Sequence, residues 1–263
     1  MKIATWNINS VRLRIESVKH LLAEEQPDVL CLQETKTQDL HFPLQALHAA
    51  GYTHTVFSGE KSYNGVALIS RVPLKDIRIY EFADKPDKRH ISAVLPGGVE
   101  LHNFYVPAGG DIPDRGANPK FGHKLDFVDG MREWFAGERS KQAPMILVGD
   151  LNIAPLEHDV WSHKQLLSVV SHTPIEVEKM VRLQEDMAWV DVSRHFVPHH
   201  EKLYSWWSYR NQDWRKSDRG RRLDHIWVTE PLQKALRASR ILKDLRDREQ
   251  PSDHVPVIME IGI

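Results

Sequence analysis

Apolar residues along this chain fall mainly into short continuous runs. KIATWNI (2–8), PDVLCLQE (27–34), NGVALISR (64–71), ISAVLP (91–96), VELHNFYV (99–106), MILV (145–148), RLDHIWV (222–228) and VPVIMEI (255–261) all predict strands. The unbroken run in PDVLCLQE predicts burial on both faces of a sheet. Gly97-Gly98, between two of the runs, is a hairpin turn signal. Helical spacing is rarer. Ser10 stands as the N-cap of a helix with Val11, Ile15, Val18 and Leu22 on one face. Asn118-Pro119 opens another, with Phe121, Leu125, Val128 and Phe135 spaced for one side. Many strands, some hairpin-linked, with few long helices predict an α/β fold of two mixed or antiparallel sheets flanked by helices. No repeat, low-complexity tract or Gly/Ser linker interrupts the pattern, so residues 1–263 read as one domain.

Composition adds limits. A chain that is 41% hydrophobic and 27% charged reads as an ordinary globular protein. The single cysteine, Cys31, sits in an apolar run and excludes an intrachain disulfide. No secretory signal and no membrane-length apolar run stands out, so a cytoplasmic location is expected. Nothing suggests a coiled coil, and a monomer is expected. The net charge of −1 argues against a protein coated in positive charge, yet RNQDWRKSDRGRR (210–222) carries an excess of four positive charges. Trp206, Trp207, Tyr209 and Trp214 interleave with those arginines. That mixture suits a surface meeting phosphates and bases, with a solvated loop as the plainer alternative.

Several predicted strands begin or end on polar groups: Asn7, Glu34, Tyr105, Asp150 with Asn152, Asp224, and Asp253 with His254. A carboxylate at a strand end is usually only the place where chain meets water. The set matters more, because strand ends of an α/β fold can converge on one cleft. Carboxylate and amide oxygens suit Mg²⁺ or Mn²⁺, and no Cys/His spacing resembles a zinc site. His158, His163, His172, His199 and His200 read as surface residues. Hard oxygen ligands with one histidine point to hydrolysis of a phosphate ester.

The ordered motifs WNINSVR, PDVLCLQETK, NGVALISR, YVP, GDLNIAP, RLDHI and PSDHVPV resemble the exonuclease III family of abasic-site endonucleases, within the endonuclease/exonuclease/phosphatase superfamily. The resemblance runs from the first strand to the last. It implies a DNase I-like, four-layer α/β sandwich. It implies a Mg²⁺-dependent enzyme, with Mn²⁺ as a substitute, that cuts duplex DNA 5′ to abasic sites and clears nucleotides or blocking groups from 3′ ends. It assigns Glu34 as principal metal ligand with Asn7 and Asp253 close by, and places Asp150, Asn152 and His254 at the same centre. Asp150 would orient or deprotonate water, and Asn152 would hold a phosphate oxygen. His254 would contact the scissile phosphate as base or charge stabiliser, with Asp224 hydrogen-bonded to it. Tyr105 would stabilise charge on the phosphate.

Two stretches depart from relatives. Ala108 and Gly109 follow YVP where some relatives carry an amide, and Arg221-Arg222 precede LD where some carry an aromatic. Trp206 and Leu223 are the expected apolar pocket walls, and Arg210, Arg221 and Arg222 the expected DNA contacts. Two other readings compete: a superfamily enzyme acting on a lipid or inositol phosphate, and a catalytically inactive DNA-binding protein.

Overall fold

The computed structural model describes residues 1–211 and 213–263; Gln212, within the basic stretch, lies outside them. Two six-stranded mixed sheets dominate. The first runs, in spatial order, Leu236–Ile241, Val257–Ile261, Lys2–Asn7, Val29–Gln33, Val66–Ser70 and His54–Ser58. The second runs Lys75–Arg78, His90–Val94, Glu100–Tyr105, Met145–Asp150, Asp224–Val228 and Val190–Asp191. Each sheet holds one parallel pair: Lys2–Asn7 with Val29–Gln33, and Glu100–Tyr105 with Met145–Asp150. A parallel pair needs a crossover, and the helices Ile15–Glu25 and Pro119–Glu138 supply the two.

Strand alternation sorts side chains into layers. Ile3, Cys31, Leu68, Leu101, Ile146, Ile226 and Val257 point between the sheets and form the central core. On the outer face of the first sheet, Ala4, Trp6, Leu30 and Leu32 pack on Val18, Leu21 and Leu22 of its helix. On the outer face of the second, Phe104, Leu147 and Trp227 meet Phe127, Met131 and Phe135, and Met180 and Leu183 of the helix Pro174–Asp186. The result is the expected four-layer sandwich, helix on sheet on sheet on helix. No helix among the described residues is long and apolar enough to cross a membrane.

Two local readings need correction. Ser10 does not cap a helix. Its backbone is left-handed (φ +86°), its N–H is bound to Glu34 O at 2.8 Å, and the helix starts at Ile15. The loop is pinned to the next strand's end, which overrides the local capping preference. The apolar spacing does not predict the helix Pro174–Asp186, although Thr173 and Glu176 form a capping box ahead of it with Pro174 at its first position. Asn118 behaves as expected, its side chain accepting from Lys120 N.

Three histidines lie wholly inside: His90, His102 and His225. Burial holds all three below their ordinary pKa, His225 at about 4, so they are neutral in the folded chain. Unfolding exposes them to protonation. Their contribution is therefore complete above about pH 6.5 and declines as pH falls, at up to about 1.4 kcal/mol per pH unit for each group. Urea unfolding between pH 7 and 4 should show that decline, and His225→Gln should flatten its share of the slope. Equal slopes for both proteins would contradict neutral burial of His225.

Candidate active site

Register explains why distant residues meet. In the second sheet Tyr105 lies level with Asp150, and Asp150 level with Asp224. In the first sheet Asn7 lies level with Gln33, one residue before Glu34. The two sheet ends face each other across the sandwich. Gly149, just before Asp150, has φ +141°, and a Cβ there would collide with the backbone of Phe104, so the strand's approach requires glycine. Glu34 and Asn152 both leave their strands in left-handed conformations, φ +50° and +53°. Such backbone costs a non-glycine residue on the order of 1 kcal/mol.

Hydrogen bonds join the set. Asn7 Nδ2 donates to Glu34 Oε1 and to Asp150 Oδ2, both at 2.8 Å. Tyr105 OH donates to Glu34 Oε1 at 2.8 Å. Asn152 donates its backbone N–H to Asp150 Oδ1 at 2.9 Å and its amide Nδ2 to Asp150 Oδ2 at 3.0 Å and Val106 O at 2.9 Å. His254 Nδ1 lies 2.8 Å from Asp224 Oδ2, and its Nε2 lies 3.6 Å from Asp150 Oδ2. Asp253 accepts from Asn9 Nδ2 at 3.2 Å and Trp206 Nε1 at 2.9 Å. All eight strand-end residues singled out in the sequence therefore gather at one place.

Two expected contacts take a different form. Both amide hydrogens of Asn152 are directed at protein acceptors, so none is left for a phosphate oxygen; its Oδ1 remains as an acceptor or ligand atom. The Tyr105 hydroxyl is directed at Glu34 rather than left free.

Electrostatics separates the roles. Burial raises the Asp150 carboxyl, and Asp224 and Glu34 nearby raise it further against the pull of His254. Burial opposes protonation of His254, but Asp224 and Asp150 outweigh it and raise its pKa, so the imidazole is charged at neutral pH. Burial opposes ionisation of Glu34, yet Lys36, 2.7 Å away, and the Asn7 amide hold it ionised. Tyr105 is kept neutral by burial and by Glu34 and Asp150.

Lys36, Asn9 and Ser205 escaped the sequence reading. Lys36 and Asn9 stand inside the motifs ETK and WNIN with no chemistry of their own to mark them. Ser205 accepts from Leu223 N and Asp224 N while donating to Asp224 Oδ2 at 2.6 Å, a clamp visible only in three dimensions. His172, expected at the surface, is buried, its Nδ1 on Ala154 O.

The site opens into a cleft of about 570 Å³ lined by Glu34, Asn152, Asp253 and His254, by Trp206, whose Nε1 donates to Asp253, and by Trp161, Arg219, Arg221 and Leu223. Trp206 and Leu223 thus line it, and Arg210 and Arg221 border it. Arg222 does not. It is wholly buried, bidentate to Asp159 at 2.8 Å and bonded to Asp191 at 2.6 Å, so it is a core ion pair and not a DNA contact. Trp207 and Trp214 are likewise core, and Arg215 is engaged by Asp244 and Asp247.

The donor set fits a cation. Asp150, Asp224 and His254 place side-chain oxygens and nitrogens within 4.8 Å of one another, and with the imidazole protonated the carboxylate oxygens are the ligand atoms. Asp224 Oδ1 is buried without a hydrogen bond among the described residues. Among the described residues, the ion-pair contacts of Glu34, Asp150 and Asp224 are with Lys36 and His254, an imbalance that a hard divalent ion would correct.

A four-layer α/β sandwich with oxygen ligands and an Asp–His pair at the joined sheet ends defines a phosphoester hydrolase. The sequence matches the Endonuclease/Exonuclease/phosphatase family over residues 4–254. It is 33% identical to the exodeoxyribonuclease III of Haemophilus influenzae over 99% of both chains. The fold superposes on an AP endonuclease from Archaeoglobus fulgidus with a TM-score of 0.93, 32% identity and full coverage of both chains. It superposes on a 3′ phosphatase from Neisseria, bound to a product DNA hairpin, with a TM-score of 0.91, 34% identity and full coverage of both. The chain belongs to the Endonuclease/Exonuclease/phosphatase family, in its exodeoxyribonuclease III and AP endonuclease branch of metal-dependent nucleases.

Arg222→Ala should leave buried Asp159 with Arg194 as its remaining partner and half-buried Asp191 without this one, and cost about 3–5 kcal/mol of stability. Urea denaturation measures this. A variant as stable as the parent, but weaker on DNA, would return Arg222 to the nucleic-acid surface.

Proposed function

We propose that this chain is a Mg²⁺-dependent DNA-repair phosphodiesterase that incises duplex DNA 5′ to abasic sites and removes nucleotides or blocking groups from 3′ ends. Mn²⁺ substitutes for Mg²⁺, and the enzyme works as a single-domain monomer in the cytoplasm. The observation that carries the reading is Asp150. It is held by Asn7 and Asn152, lies 3.6 Å from His254 Nε2, and sits buried directly behind Asn152 and His254, which line a cleft walled by tryptophan and arginine. The walls favour a nucleic acid over a lipid tail, and the complete polar set favours an enzyme over an inactive binder.

Glu34 and Asp150, with the oxygens of Asn7, Asn152 and Asp253 beside them, would hold the ion, and protonated His254 faces them without ligating it. When bound, the ion neutralises charge on the phosphate and makes water more acidic. Asp150 accepts the proton of the attacking water, a role suited to a carboxylate whose pKa burial has raised. His254 presents Nε2–H to a phosphate oxygen as an imidazolium, because Nδ1 is committed to Asp224. Ser205 positions Asp224, and Tyr105 positions Glu34. Water adds to phosphorus, the bond to the upstream 3′ oxygen breaks, and that oxygen takes a proton to leave a 3′-hydroxyl. An abasic nucleotide enters readily because no base stacking opposes its extrusion.

A duplex with one abasic analogue tests this. Incision should need Mg²⁺ or Mn²⁺, stop in EDTA, and fall about 10²–10⁴-fold in Asp150→Asn. No incision by the parent with either ion would overturn the activity, and a variant within tenfold of the parent would remove Asp150 from the proton transfer.

A further inference from the structure

One side chain in the cleft is poorly explained by phosphodiester hydrolysis alone. Arg221 lies on the short strand Gly220–Arg221, directly across from Trp206. Its guanidinium sits 5.2 Å from the centre of the Trp206 ring, and its Nη1 donates to Val170 O at 3.0 Å and Ser171 Oγ at 2.8 Å. These contacts fix its plane. They do not neutralise it. Among the described residues no carboxylate lies within ion-pair distance, in contrast to Arg194, Arg215 and Arg222. Glu176, which acts on it through space, is already engaged by Lys124, Ser171 N and Thr173. Among the described residues, Nε of Arg221 is buried with no acceptor, and Nη2 has no acceptor. Arg219, stacked on Trp161 at 4.8 Å, adds a second unpaired cation to the same wall.

A partly buried arginine held over an indole, with donors left over, is organised to receive a planar or tetrahedral anion. In the proposed reaction the scissile phosphate lies against Asp150 and His254, and Trp206, bonded through Nε1 to Asp253 at 2.9 Å, stands between that place and Arg221. We propose that Arg221 is a specificity-determining residue: it selects 3′ termini whose blocking group, attached beyond the scissile phosphate, carries its own negative charge. The glycolate ester of a 3′-phosphate is such a group. Hydrolysis adds water to phosphorus, breaks the bond to the 3′ oxygen, and releases phosphoglycolate and a 3′-hydroxyl. A neutral group of the same length offers Arg221 nothing. The proposal rests on the nuclease reading above and adds the chemical class of terminus that this chain prefers.

The test compares kcat/KM on two 3′-blocked duplexes that differ only in charge, the phosphoglycolate end and the hydroxyethyl phosphate end, with an abasic duplex as reference. The parent should favour the charged end by about 10- to 100-fold. Arg221→Gln should bring that ratio close to one, and Arg221→Lys should restore part of it, with thermal unfolding confirming that both variants are folded. A parent that cleaves both ends equally would overturn the role of Arg221 while leaving the nuclease reading intact. A ratio unchanged in a folded Arg221→Gln would do the same. Failure of the parent on all three duplexes would instead overturn the nuclease reading.

Discussion

One amide joins the two halves of the site. Asn7 ends a strand of the first sheet, and its two Nδ2 hydrogens reach Glu34 in the same sheet and Asp150 in the other. Its Oδ1 is held by Asn9 N–H at 3.1 Å, which fixes the direction of the amide. Two buried carboxylates so close repel each other and resist desolvation. A neutral donor shared between them lowers both costs without consuming the charge that a metal ion needs. Everything else at the centre is arranged around this bridge: Tyr105 shares Glu34 Oε1 with it, Asn152 shares Asp150 Oδ2 with it, and the His254–Asp224 pair lies beside Asp150.

The sandwich supplies the precision. Each sheet has a parallel pair closed by one crossover helix, so strand ends from opposite parts of the chain emerge at the same edge. The core between the sheets, from Ile3 to Val257, sets the spacing of those edges. Close-packed interiors resist small displacements, and the site inherits that stiffness. Left-handed backbone at Glu34 and Asn152 is tolerated because flanking strands and hydrogen bonds over-determine it.

Much of this was legible in the sequence. Buried strands announce themselves by apolar runs, and a polar residue at the end of such a run has only the sheet edge to occupy. That logic located Asn7, Glu34, Tyr105, Asp150, Asn152, Asp224, Asp253 and His254 at strand ends, and the resemblance of their motifs grouped them. Direction was not legible. Whether Asn152 and Tyr105 face substrate or protein depends on acceptors such as Val106 O and Glu34, which lie close only after folding. The arginines mislead for a related reason. RGRR reads as one positive patch, but strand alternation sends Arg221 to the cleft and Arg222 into the core, where Asp159 and Asp191 await it. Charge summed along a chain overstates charge displayed on a surface.

The central claim is that Asn7 holds the metal-side carboxylate and the water-side carboxylate in working register. Single-turnover cleavage of an abasic duplex by Asn7→Ala, at saturating Mg²⁺ and with circular dichroism to verify the fold, tests it most directly. Loss of two hydrogen bonds to charged groups should slow the chemical step by about 100-fold or more. A folded variant that cleaves within about threefold of the parent rate would show that the two carboxylates keep their places without the bridge, and would contradict the account.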